Sequence, residues 1–159
     1  MSDELLLSYL AGFFDGEGTV CIAQRKGKRA SFSMKIQVGQ MERAPLELFL
    51  HRFGGNIYES SRAGKKSLLL WALCKRDLQR AFLELLIPHL RSKKAEAQLG
   101  IRFLNVMRTI GFGGHGARSD PELLAERVRL HAACKAAKIK DWRLHEMTID
   151  VQMPMVIKH

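Results

Sequence analysis

Apolar positions along the chain recur with two different periods, and each change of period marks an element. Ser2 and Asp3 can cap a helix whose apolar segment runs from Leu5 to Phe14. That helix is expected to stop at Asp15-Gly16-Glu17-Gly18, where two glycines lie close together. From Thr19 to Gln24 the period becomes two, with Val20 and Ile22 on one face. The alternation is clearer from Ser31 to Val38, where Phe32, Met34, Ile36 and Val38 interleave with Ser31, Ser33, Lys35 and Gln37. A basic tip, Arg25-Lys26-Gly27-Lys28-Arg29, separates these two strands.

A second unit of similar form follows. Pro45 suits a first helical turn, and Leu46, Phe49, Leu50 and Phe53 make an apolar stripe before Gly54-Gly55. Asn56 to Arg62 and Ser67 to Leu73 read as a hairpin turning at Ala63-Gly64-Lys65-Lys66. Asp77 is placed to cap a further helix with Leu78, Phe82, Leu85 and Leu86 facing inward. The C-terminal third reads as a helix from about Ser92 to Ile110 and another from Ser119-Asp120-Pro121-Glu122 to about Ala137. Together these predict a single α+β domain over residues 1–159, with an αββαββ core, one antiparallel sheet and C-terminal helices. Gly111-Phe112-Gly113-Gly114-His115-Gly116 spells a dinucleotide fingerprint, but a helix precedes it where that fingerprint needs a strand. It reads as an interhelical loop.

Charge narrows the picture. Lys and Arg number 26 against 16 Asp and Glu, a net +10. Such an excess favours nucleic acid, because neutralising phosphates releases condensed counterions, although membrane surfaces and acidic partners would attract it too. No apolar run reaches membrane-spanning length, and the acidic start MSDELLL lacks the pattern of a targeting segment. Action in the compartment of synthesis is therefore expected. The 3 cysteines, Cys21, Cys74 and Cys134, form no CxxC pair and have no histidine at zinc spacing.

The chemistry is concentrated in Leu10-Ala11-Gly12-Phe13-Phe14-Asp15-Gly16-Glu17-Gly18. Small residues at Ala11 and Gly12 allow two helix backbones to approach closely. An acidic turn at the end of each such helix would bring carboxylates together, and adjacent carboxylates suit hard divalent cations with oxygen ligands. These nine positions resemble the signature of the LAGLIDADG homing endonucleases, and a basic hairpin follows them as that family's architecture requires. Aromatics replace two aliphatics, Gly16 replaces the second alanine, and Glu17 replaces the second aspartate.

The resemblance implies a metal-dependent cut in a DNA duplex, with Mg²⁺ the natural cofactor. It implies that Glu17 is the metal-binding acid, that the Gly16 carbonyl is a neighbouring ligand, and that Asp15 is structural. It also implies catalytic roles for Gln40, which would order active-site water, and Lys93, near the scissile phosphate, with Lys94 as its rival. A basic residue expected at Ala44 is missing, and Arg43 is the neighbour that could replace it.

One motif supplies one acid cluster, so cutting both strands calls for a homodimer paired through Ala11 and Gly12, on a near-palindromic site. The resemblance places the sheet in the major groove of double-stranded DNA. Ser31, Ser33, Lys35 and Gln37 share a polar face on one strand, and Tyr58, Ser60 and Arg62 share one on another. These residue types can read base edges, whereas Arg25, Lys26, Lys28, Arg29, Lys65 and Lys66 at the tips suit phosphate contacts. The competing readings are a non-catalytic protein of the same fold (a transcriptional regulator or RNA maturase) and an unrelated basic RNA-binding protein.

Overall fold

A computed structural model describes residues 2–25, 31–61, 67–110 and 120–138, and backbone only for 108–110. Helix α1 (Asp3–Glu17) leads into strands β1 (Gly18–Arg25) and β2 (Ser31–Gln40). Helix α2 (Arg43–Phe53), strands β3 (Asn56–Ser60) and β4 (Leu68–Leu73), and helix α3 (Arg76–Leu86) repeat the pattern. Two more helices, α4 (Lys94–Ile110) and α5 (Pro121–Ala137), complete the described chain. The strands form one antiparallel sheet in the order β1-β2-β4-β3, so the two hairpins meet at β2 and β4.

The alternation in β2 decides which side of the sheet is covered. Ile36 and Val38 pack with Val20 of β1 and Trp71 of β4 into a core shared with Leu10, Phe14, Phe49 and Phe82 from the helices. Trp71 is fully buried, and its indole Nε1 donates to the Gly54 carbonyl at 2.8 Å, which satisfies its polar atom. Phe53 and Phe82 meet edge to face at 4.8 Å between ring centres, and Phe14 and Phe82 do so at 5.0 Å. The aromatic cluster thereby fastens both helical units to the sheet.

Some predicted details change. Helix α1 passes through Gly16 and stops only at the second glycine, Gly18, after Glu17. A helical Gly costs about 1 kcal/mol, and bonds at the neighbouring Asp15, described below, hold the last turn in place. Gly18 then leaves the helix, its N–H donating to the Phe14 carbonyl. A Cβ there would lie 2.3 Å from the Phe14 ring, so only glycine permits this close turn. Asp77 does not cap α3: the helix begins at Arg76 behind Lys75, with Asp77 in its first turn. The buried face of α3 is Gln79, Phe82, Leu83 and Leu86, while Leu85 is 38% exposed. Gln79 is tolerated there because its Nε2 donates to the Leu73 and Met34 carbonyls.

Helix α5 starts as its sequence predicts, with the Asp120 side chain accepting the N–H groups of Glu122 and Leu123. It packs along β1, one of the two edge strands of the sheet. His131 Nδ1 lies 2.7 Å from the Ile22 carbonyl, and the Cys134 thiol faces the Val20 carbonyl. These contacts occupy carbonyls that an edge strand would otherwise offer to another chain. The loop expected at 111–116 and the tail beyond 138 lie outside the described residues.

Candidate nuclease site and nucleic-acid face

The C-terminal end of α1 carries Glu17 and is joined to Lys93. Asp15 is half-buried, and its carboxylate accepts the backbone N–H of Arg91 at 2.7 Å and of Lys93 at 2.9 Å. The Lys93 ammonium in turn donates to the Asp15 carbonyl. The turn before α4 is thus fastened to the last turn of α1, and the predicted structural character of Asp15 has a defined geometry. Glu17, the final residue of the helix, is exposed. Lys94, the rival to Lys93, is exposed and opens α4.

Gln40 lies at the same end of the sheet. Gly18 pairs with Val38, so Gln40 falls two residues beyond the β1–β2 ladder, on the side where α1 enters. Its Oε1 accepts the Met41 N–H at 3.0 Å. Arg43 is engaged elsewhere, in a surface pair with Glu47 at 2.7 Å.

The donor set suits a hard cation only in part. Glu17 offers a carboxylate, and the Gly16 carbonyl belongs to the last turn, where carbonyls have no helical partner. Among the described residues no three His, Cys, Asp or Glu side chains cluster as a metal site. The described residues of one chain therefore bring oxygen ligands of the right kind for a divalent ion but too few to enclose it.

Beside this end of α1 lies a cavity of about 310 Å³ lined by Gly18, Thr19, Val20, Lys93, Glu96 and Lys138. Glu96 was not anticipated from sequence. Its position three residues after Lys93, in the first turn of α4, was the available signal.

Opposite the core, the strand register assembles a polar face. Arg25 pairs with Ser31, Ala23 with Ser33, Cys21 with Lys35, and Thr19 with Gln37. Gln37 continues across the sheet to Ala72 and then Asn56, while Tyr58 and Ser60 lie opposite Leu70 and Leu68. Seven predicted contact residues, Arg25, Ser31, Ser33, Lys35, Gln37, Tyr58 and Ser60, therefore share one face. Lys26, Lys28, Arg29, Arg62, Lys65 and Lys66 lie outside the described residues. Thr19 and Asn56 join this face unanticipated, although alternation with Val20 and Ile57 would have found them.

The predicted pairing surface divides. Ala11 is 0% exposed and packs into its own core, so it cannot face a second chain. Gly12 is exposed, and a Cβ there would meet nothing within 4 Å. It continues a helical stripe from Leu5, 58% exposed, and Tyr9, 48% exposed, towards Gly16.

The comparisons agree with this architecture. No curated protein sequence matches the chain. The homing endonuclease I-CvuI, solved with an I-CreI target and magnesium with the DNA not cleaved, is 19% identical. It superposes with a TM-score of 0.70 over 89% of this chain and 87% of that one. The archaeal intron-encoded homing endonuclease I-Vdi141I, solved with DNA, is 17% identical, with a TM-score of 0.72 over 86% of each chain. I-GzeII, a LAGLIDADG homing endonuclease solved with its DNA target, is 17% identical with a TM-score of 0.65. That match covers 79% of this chain but 43% of the longer I-GzeII chain. The fold is that of the LAGLIDADG homing endonucleases. The model of the LAGLIDADG-like domain matches residues 4–86, more than half of the sequence, and the chain belongs to the LAGLIDADG family.

Proposed function

We propose that this protein is a site-specific endonuclease that cuts double-stranded DNA as a homodimer, using a divalent metal, with Mg²⁺ as the natural ion. The observation that carries the reading is the attachment of Lys93 to Asp15, 78 residues away, which brings an ammonium to the acidic end of α1. An acid and an amine on the same helix terminus suit phosphodiester hydrolysis.

Glu17 and the Gly16 carbonyl would hold the metal, completed by oxygen atoms from a second copy and from phosphate. When bound, such an ion polarises the phosphodiester and lowers the pKa of an attacking water. Lys93 then offers positive charge to the phosphate as negative charge builds on it. Gln40, at the adjoining end of the sheet, orients water through its amide. The stripe of Leu5, Tyr9, Gly12 and Gly16 pairs with its copy, so that two acid ends lie side by side, one per strand. The open sheet face follows the major groove and reads base edges through Lys35, Gln37, Tyr58 and the serines. Relatives of the same fold solved with DNA, magnesium or calcium support this reading.

The test is cleavage of a library of near-palindromic duplexes with Mg²⁺, with EDTA and Glu17→Gln as controls. Staggered cuts at one sequence are expected, lost with EDTA and reduced about a hundredfold or more by Glu17→Gln. Specific binding without cuts in the wild type would reject the nuclease reading in favour of a regulator or maturase.

A further inference from the structure

We propose that Glu96 is a positioning residue for Lys93, an inference that rests on the endonuclease reading. The Lys93 carbonyl accepts the Ala97 N–H at 2.9 Å, so Lys93 caps α4 and Glu96 occupies the third helical position. A glutamate at that position ordinarily reaches back to accept the N–H of the capping residue. Here that N–H donates to Asp15 at 2.9 Å instead, and Glu96 is released from capping.

The released carboxylate does not turn to solvent. Glu96 is 4% exposed, and its Oε2 is enclosed with no hydrogen-bond partner among the described residues. Leaving a buried carboxylate oxygen without a donor is unfavourable, so the arrangement calls for a cation. The cavity that Glu96 lines holds two, Lys93 and Lys138. Lys93 is the cap residue and Glu96 the third helical position, the pair of positions that face each other at a helix start. An ammonium has three donors, so its bond to the Asp15 carbonyl does not exhaust it.

Glu96 thus supplies the counter-charge that keeps Lys93 aimed at the end of α1 when a phosphate competes for the ammonium. Its contribution falls on the rate of cutting rather than on DNA affinity, which the sheet face supplies.

The test is single-turnover cleavage by wild type, Glu96→Gln, Lys93→Ala, the double variant and Lys138→Met, with melting curves for each. Glu96→Gln is expected to lower the maximal rate about ten- to a hundredfold, the usual cost of losing a group that orients an active-site residue. The half-saturating DNA concentration should stay within about twofold. The double variant should be no slower than Lys93→Ala, because the carboxylate acts only through that amine. If Glu96→Gln fails to fold, Glu96→Asp replaces it, with a smaller loss expected in the Lys93 background only. A wild-type rate in the Glu96 variant, losses that multiply in the double variant, or the same loss from Lys138→Met would overturn the proposal. A wild type that binds its site without cutting would reject the nuclease reading and this inference with it.

Discussion

The carboxylate of Asp15 accepts the backbone N–H of Lys93 at 2.9 Å, joining the end of α1 to the start of α4 across 78 residues of sequence. A second N–H, from Arg91 at 2.7 Å, completes a bidentate clasp. Bonds of this kind to a charged acceptor are among the stronger ones in a protein.

Asp15→Asn should therefore destabilise the fold and slow cutting together. The neutral amide keeps one acceptor and sets an N–H against a backbone donor. A loss of about 1.5–3 kcal/mol is expected, the contribution of hydrogen bonds to charged groups. Denaturant unfolding measures it. An unchanged midpoint would mean that the clasp contributes nothing to the fold.

Gly12→Ala separates folding from assembly. Within one chain the new Cβ meets nothing within 4 Å, and replacing a helical glycine should stabilise the isolated subunit by up to about 1 kcal/mol. In a dimer packed through this stripe the same methyl pushes the helices apart, and Gly12→Leu does so more strongly. Sedimentation equilibrium should show weaker dimers for Ala and monomers for Leu, with no loss of helix content. Dimers of wild-type strength in both variants would exclude this face as the interface.

Gln37→Ala should weaken cognate binding by about 0.5–1.5 kcal/mol, the value of the single hydrogen bond its amide Nε2 can make to a base. Its Oε1 is buried without a hydrogen-bond partner among the described residues, so no bond at that atom is lost from the free protein. Binding to a scrambled duplex should barely change. An equal loss on both duplexes would make Gln37 a non-specific contact.

Cys134 and Cys74 should differ sharply in reactivity. Burial pushes the Cys134 thiol up, only partly offset by the neighbouring Ile22 backbone and Lys138. The fold thus holds the protonated form. This stabilisation is fully present below the ordinary thiol value of about 8.5 and is lost as pH rises through the higher folded value. Native-state alkylation followed by mass spectrometry should modify exposed Cys74 well before Cys134. Equal rates would show that α5 opens readily from β1.

Local chemistry made much of this molecule legible. The alternation of Phe32, Met34, Ile36 and Val38 predicted both a strand and its buried side, because side chains on a strand point alternately to opposite faces. The spacing of Leu46, Phe49 and Phe53 likewise predicted the buried stripe of α2. The nine-residue motif pointed to the family whose domain model matches residues 4–86.

What remained hidden depended on contacts between segments distant in sequence. Periodicity assigned Leu85 to the core, but the packing of α3 buried Leu83 and Gln79, with backbone carbonyls satisfying the amide. Small size made Ala11 and Gly12 equivalent in sequence, yet they lie on different sides of α1. Similarly, no local pattern announced that α5 would cover β1 through His131, 109 residues from its partner Ile22. Sequence by itself determined the order of the elements, the apolar side of the sheet and the identity of the acidic motif, because those follow from neighbouring side chains. Only the tertiary structure decided that Asp15 holds Lys93, that Glu96 is buried at a cavity Lys93 also lines and that Gly12 faces outward, because hydrogen bonds and burial depend on what the folded chain brings close.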